Sequence, residues 1–112
     1  NVTSVHEERP FPPCTPYSLS KAGLWMLTRE LALVYSRHGI TINSLAPGAV
    51  RTDLNRHVLA DPDYEARVLE KIPARWIAEP GDVSGAVVFL AGDEARYITG
   101  ASIRVDGGLS LT

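Results

Sequence analysis

Apolar residues recur along this chain in two periods, and the switches between them mark out its elements. Asn1 to Val5 alternates apolar and small polar residues, as the C-terminal end of a strand does. The stretch from Glu8 to Pro16 holds four prolines, too many for regular structure. From Tyr17 to Arg37 the period changes: Leu24, Leu27, Leu31 and Val34 follow one another at spacings of three and four. That pattern predicts a helix about 31 Å long, at 1.5 Å per residue. Gly39, preceded by Arg37 and His38, is its stop signal.

Alternation returns over Ile40–Ala46, predicting a strand that Pro47-Gly48 ends. Residues 49–60 read as a mixed loop. A short helix over Asp63–Lys71 follows Pro62 and is closed by Ile72-Pro73. Glu79-Pro80-Gly81-Asp82 opens another helix, which runs through Val83, Val87, Val88 and Leu90 to Gly92. Ser102 to Val105 is the last strand, and Asp106-Gly107-Gly108 the turn after it. Strands alternating with helices predict a parallel α/β sheet. Three strands, the first already under way at residue 1, amount to half of such a sheet. The chain therefore reads as a piece of a longer domain, with its first strand an open edge.

Composition narrows the classes of partner. The 112 residues carry 11 basic and 13 acidic side chains, a net charge of −2, a balance that argues against nucleic acid or an anionic membrane as partner. No apolar run approaches the roughly 18–20 residues of a membrane span. Cys14 is the only cysteine, which excludes an internal disulfide. His6, His38 and His57 are too far apart in sequence for a local ligand pair, so no metal site is expected. A reducing cytoplasmic compartment is the expectation. Asn1-Val2-Thr3 fits the glycosylation pattern, but that reading requires a secreted protein.

The candidate chemistry lies at the start of the long helix. Tyr17 and Lys21, four residues apart, project from one helix face. A phenol, with an unperturbed pKa of about 10, is a poor base near neutrality, and an ammonium one turn away favours the phenolate. Such a tyrosine takes a proton from an alcohol or gives one to a carbonyl. Ser4, at the end of the preceding strand, supplies a hydroxyl for the same substrate oxygen. With four tyrosines and two lysines in the chain, a Tyr-x-x-x-Lys pair is expected by chance only ~0.07 times. The competing reading, a coincidental surface pair, is the weaker.

Ser4, the run Tyr17-Ser18-Leu19-Ser20-Lys21-Ala22-Gly23, the run Asn43-Ser44-Leu45-Ala46-Pro47-Gly48 with Thr52, and Asp106-Gly107-Gly108 resemble the short-chain dehydrogenase/reductase family. The resemblance covers residues 1–112 and corresponds to the C-terminal half of that family's doubly wound, parallel-sheet Rossmann domain. It implies hydride transfer between NAD or NADP and an alcohol/carbonyl substrate. Tyr17 would be the general acid/base. Lys21 would favour the phenolate and bond the nicotinamide ribose, and Ser4 would polarise the substrate. Pro47, Gly48, Val50 and Thr52 would contact the nicotinamide end of the cofactor. The family's glycine-rich phosphate turn belongs to the other half. Gly81-Asp82-Val83-Ser84-Gly85 has only a superficial likeness to it, inside a predicted helix.

Ser4-Val5-His6-Glu7, and the later Ala60-Asp61-Pro62, Ile72-Pro73 and Glu79-Pro80, are similar to the glucose 1-dehydrogenases of that family. A sugar is thus the substrate the resemblance implies. His6 either reaches a sugar hydroxyl or satisfies a nearby backbone group. A 3-oxoacyl thioester is the alternative substrate, and an inactive fragment acting only in oligomerisation is the alternative from another class. Trp25 and Met26, on the same long helix, point to packing or a subunit interface. A homodimer or homotetramer through the long helix and the C-terminal strand region is expected.

Overall fold

The computed structural model describes all of residues 1–112. Its elements, in chain order, are α1 (Thr15–Tyr35), β1 (Ser44–Pro47), α2 (Arg56–Leu59), α3 (Pro62–Lys71), α4 (Pro80–Ala91) and β2 (Ser102–Val105). β1 and β2 pair in parallel, Ser44 opposite Ser102 and Pro47 opposite Val105. On its other edge β1 meets the N-terminal segment, parallel as well, through a bridge between Val2 and Leu45. Thr3 N donates to Leu45 O at 2.7 Å, and Leu45 N donates to Asn1 O at 2.9 Å.

The first expected strand is therefore reduced to that one bridge, and Val5 leaves it altogether. Val5–Glu7 forms a 3-10 turn instead, closed by Glu7 N donating to Ser4 O. Ser4 competes here with strand pairing: its hydroxyl accepts from His6 N, as serine does at a helix start. The second strand is also shorter than its alternation suggests. Ile42 and Asn43 satisfy their polar groups on the 98–101 loop, where Thr99 Oγ1 accepts from Ile42 N and Asn43 bonds Ile98 O and Ala101 N. The loop over 49–60 contains the single turn α2 that periodicity does not reveal. Gly81–Gly85 lies inside α4.

Each helix has a local reason for its bounds. Pro16 stands in the first turn of α1, where its missing N–H costs nothing. Ser36–His38 tightens into a 3-10 turn and Gly39 stops it in the left-handed conformation, φ 74°. Asp61 caps α3 by accepting from Asp63 N and Tyr64 N. At α4, Asp82 reaches back to accept from Glu79 N at 2.7 Å. The buried face of α1 is not its leucine stripe. Thr28 and Ala32 are the fully buried residues, while Leu27 and Val34 stand half exposed. Small side chains let α1 lie against the N-terminal segment, where Asn1 Nδ2 donates to Thr28 Oγ1 at 2.8 Å.

The core gathers beyond the C-terminal ends of the parallel strands. Val5, Leu59, Ile72, Ile77 and Leu109 form one buried cluster, with Ala49, Val68 and Leu69 packed on it. Two close approaches hold this end together. A Cβ on Gly48 would sit 2.8 Å from both Cα and Cβ of Asp106, so the ends of β1 and β2 can meet only through glycine. Asp106 in turn accepts from Gly108 N at 3.0 Å and Ser110 N at 2.8 Å. Burial opposes ionisation of Asp106, yet its hydrogen bonds from Ser110 and Gly108 and the Arg104 charge outweigh it and hold the carboxyl below its ordinary value. That turn is therefore firm above the ordinary carboxylate range and loosens as the pH falls through the lowered value.

Gly48→Ala is expected to destabilise the protein by about 1–3 kcal/mol, because the methyl group must displace backbone rather than a flexible side chain. Chemical denaturation of the two forms measures it; equal midpoints would mean that the 2.8 Å approach is not maintained in solution.

Candidate active site

Parallel strands deliver their C-terminal ends to one edge of the sheet, the edge where ligands bind in open α/β sheets. Ser4, Pro47 and Asp106 all lie there. Ser4 is 5% exposed. Its Oγ accepts from His6 N at 3.2 Å, so the hydroxyl's own proton remains available to a second acceptor. Two residues later the His6 ring stacks on Phe11, centroids 4.2 Å apart and planes 12° apart. The same ring meets Tyr17 edge-on at 6.3 Å.

The two nitrogens of His6 have different surroundings. Nδ1 lies 3.1 Å from Arg9 O, and only a donor satisfies a carbonyl, so Nδ1 carries the proton and Nε2 is left as an acceptor. Burial disfavours the imidazolium and the nearby Arg9 charge adds to this, against the Arg9 carbonyl bond. The net effect lowers the His6 pKa from its ordinary 6.5.

Tyr17 and Lys21 occupy the first turns of α1. The Lys21 ammonium stands 5.7 Å from the Tyr17 ring centroid and donates to Val2 O at 3.1 Å. One of its three N–H groups is thus used for orientation and two remain. Ser4, His6, Tyr17 and Lys21 therefore form a connected group: Lys21 is held two residues before Ser4, Ser4 is held by His6, and His6 and Lys21 both face the Tyr17 ring.

The Pro47–Thr52 segment shares this edge without a hydrogen bond to Tyr17 or Lys21. Gly48 N donates to Val105 O at 3.0 Å, and Val50 bridges Ala78 in parallel. Asn55 organises the loop around Thr52: its Oδ1 accepts from Thr52 N at 2.9 Å and Thr52 Oγ1 at 3.3 Å, and its Nδ2 donates to Val50 O at 2.8 Å. Beside this loop opens a cleft of about 660 Å³ lined by Arg51, Thr52, Arg56, Leu59, Glu79 and Pro80. Its arginines are matched by carboxylates: Arg51 pairs with Glu65 and Glu79, and Arg56 with Asp53. No group of histidine, cysteine and acidic side chains is arranged to hold a metal ion.

Three participants escape the sequence reading. The Val2 carbonyl that orients Lys21 is backbone and has no residue signature. Asn55 had one, an amide three residues after Thr52, within reach of its own backbone. Glu7, buried beside Ser102, reads in sequence as an ordinary solvated charge.

Residues 1–110 match the family described as enoyl-(acyl carrier protein) reductase. The chain is 45% identical over 111 residues to 3beta-hydroxysteroid dehydrogenase 1 of Eggerthella lenta, covering 99% of this chain and 42% of that protein. It is 40% identical over 111 residues to glucose 1-dehydrogenase 2 of Bacillus subtilis, covering 99% and 43%. The structure superposes with a TM-score of 0.95 on gluconate 5-dehydrogenase from Burkholderia cenocepacia, solved with NADP and tartrate. That match is at 33% identity and covers 100% of this chain and 44% of that one. The chain thus spans less than half the length of these proteins.

The lowered His6 pKa has a definite sign. The folded state prefers neutral imidazole, so the unfolded chain binds more protons between the lowered value and 6.5. Stability contributed by His6 is full above 6.5 and is lost as the pH falls through the folded-state value. His6→Gln is expected to flatten that part of the stability–pH curve, as read by denaturation at a series of pH values; an unchanged slope would place the titration elsewhere.

Proposed function

The chain belongs to the short-chain dehydrogenase/reductase family, and from that membership we propose that it is the catalytic and substrate-binding part of an NAD- or NADP-dependent dehydrogenase acting on a sugar. The observation that carries the proposal is the Lys21 ammonium set against the Tyr17 ring beside the half-free Ser4 hydroxyl. The cofactor, when bound, supplies the hydride acceptor or donor. Thr52, the backbone of Pro47, Gly48 and Val50, and the two unused N–H groups of Lys21 would hold its nicotinamide end. The donor set suits it: a ribose offers hydroxyls to the ammonium, and Thr52 Oγ1 keeps acceptor capacity for a carboxamide.

Within this reading Ser4 donates its free O–H to the substrate oxygen. Tyr17 takes the hydroxyl proton at its phenolic oxygen in oxidation and returns it in reduction. Lys21 keeps positive charge beside that ring while the oxygen is anionic. His6 Nε2, left as an acceptor beside the Tyr17 ring, would take a substrate hydroxyl, which favours a polyol. The similarity to glucose 1-dehydrogenase 2 and to gluconate 5-dehydrogenase supports a sugar or sugar acid.

A second reading, reduction of a 3-oxoacyl thioester, is favoured by the description of the matching family. Self-association belongs to the proposal too. Leu19, Met26 and Leu33, seven residues apart on α1, are all exposed, Leu33 by 82%. Such a stripe suits a second copy's helix. The compartment consistent with the half-buried free thiol of Cys14 is the cytoplasm; no helix is long and apolar enough to cross a membrane.

Tyr17→Phe, made in the protein as its gene encodes it, is expected to lower kcat about 100-fold or more while the Kd of the cofactor changes little. Cofactor reduction with D-glucose and cofactor oxidation with an acetoacetyl thioester, run side by side, separate the two substrates. Turnover of the thioester with none of the sugar would overturn the first reading in favour of the second.

A further inference from the structure

The three residues that follow His6 reach across to the C-terminal part of the chain. Glu7 Oε1 accepts from Ser102 Oγ at 2.6 Å. Glu8 pairs with Arg104. Arg9 Nε donates to Thr112 O at 3.2 Å. Ser102 and Arg104 are alternate residues of β2 and so share one face of it. Because β1 lies between the N-terminal segment and β2, this strap must pass over β1 to make its contacts.

Glu7 differs from its two neighbours. It is 6% exposed, and its Oε2 is buried with no hydrogen-bond partner. Surface charges at Glu8 and Arg9 keep water as an alternative partner, whereas the Glu7 carboxylate depends on Ser102 alone. Burying a carboxylate with one donor is costly, so the contact is a poor stabiliser for its own sake. It does fix a direction: the turn that Glu7 ends contains Ser4 and His6, and Glu7 N closes that turn on Ser4 O at 2.9 Å.

We propose that Glu7 is a positioning residue, which through Ser102 sets the Ser4 hydroxyl and the His6 ring against Tyr17. The inference rests on the dehydrogenase reading for its kinetic consequence. It makes β2 a support of the substrate site through Ser102. The carboxylate acts here as an acceptor, not as a base, so an amide in its place should serve.

The test compares Glu7→Gln, Glu7→Ala, Ser102→Ala and the double variant Glu7→Ala/Ser102→Ala in the protein as its gene encodes it. Glu7→Gln should keep kcat/KM within about threefold, because its Oε1 still accepts from Ser102. Glu7→Ala should lose about tenfold or more, carried by kcat, with the cofactor Kd unchanged. The double variant should lose no more than Glu7→Ala, since one contact is removed twice. Three results would overturn the proposal: Glu7→Ala within about threefold of the parent, losses that multiply, or a cofactor affinity that falls with activity. Should Glu7→Ala not fold, Ser102→Ala decides by the same kinetic criteria. Absence of NAD(P)-dependent turnover in the parent would count against the dehydrogenase reading alone. The positioning is then read from the imidazole resonances of His6, which Glu7→Ala should shift and Glu7→Gln should not; resonances unmoved by Glu7→Ala would overturn it.

Discussion

Everything at the candidate site depends on β1 being paired in parallel on both edges. Asn1–Thr3 flanks it on one side and β2 on the other, so three chain segments run the same way and end together. A parallel neighbour has to be reached by a crossover, and α1 supplies the first of them. The consequence is that residues far apart in sequence, Ser4, Pro47 and Asp106, emerge at one edge. Gly48 sets how closely two of these ends approach, since its missing side chain lets the backbone of Asp106 come within reach.

Beyond that edge the polar groups are divided between holding the architecture and remaining available. Lys21 commits one N–H to the Val2 carbonyl and His6 commits Nδ1 to the Arg9 carbonyl. Ser4 accepts through its oxygen and keeps its proton. In each side chain one function is anchored and another is free, which is how a site is oriented without being exhausted. Asp106 is the counter-example, with both oxygens committed to the turn that closes the core over Leu109. The strap of Glu7, Glu8 and Arg9 extends the same division, tying the turn that follows Ser4 to Ser102 and Arg104 of β2 and to Thr112.

Membership of the short-chain dehydrogenase/reductase family accounts for the fold and for the pairing of a tyrosine with a lysine one turn on. It does not choose the substrate. Proteins similar to this chain include a steroid dehydrogenase and a sugar dehydrogenase at comparable identity. In the proposed reading, the residues that would separate such substrates are those around Ser4 and Tyr17, His6 and Phe11 among them. The His6 ring stacks on Phe11, and in that reading a ring so held would offer its acceptor to a hydroxyl at one position.

Local chemistry determined much of this protein by itself. The long helix, its glycine stop at Gly39, the capped start of α3 and the strand Ser102–Val105 all obey short-range rules, and so does the Tyr17–Lys21 pair, because four residues make one helical turn. Features beyond the reach of those rules were decided by neighbours distant in the chain. Val5 left its strand because Ser4 and His6 close a 3-10 turn, and Ile42 and Asn43 stayed outside β1 because the 98–101 loop took their hydrogen bonds. The leucine stripe of α1 is only partly covered, since the N-terminal segment packs on Thr28 and Ala32 instead. Periodicity reports which face of an element is apolar; which face meets a partner, and which carbonyl holds a lysine, is settled only when the crossovers bring those partners together.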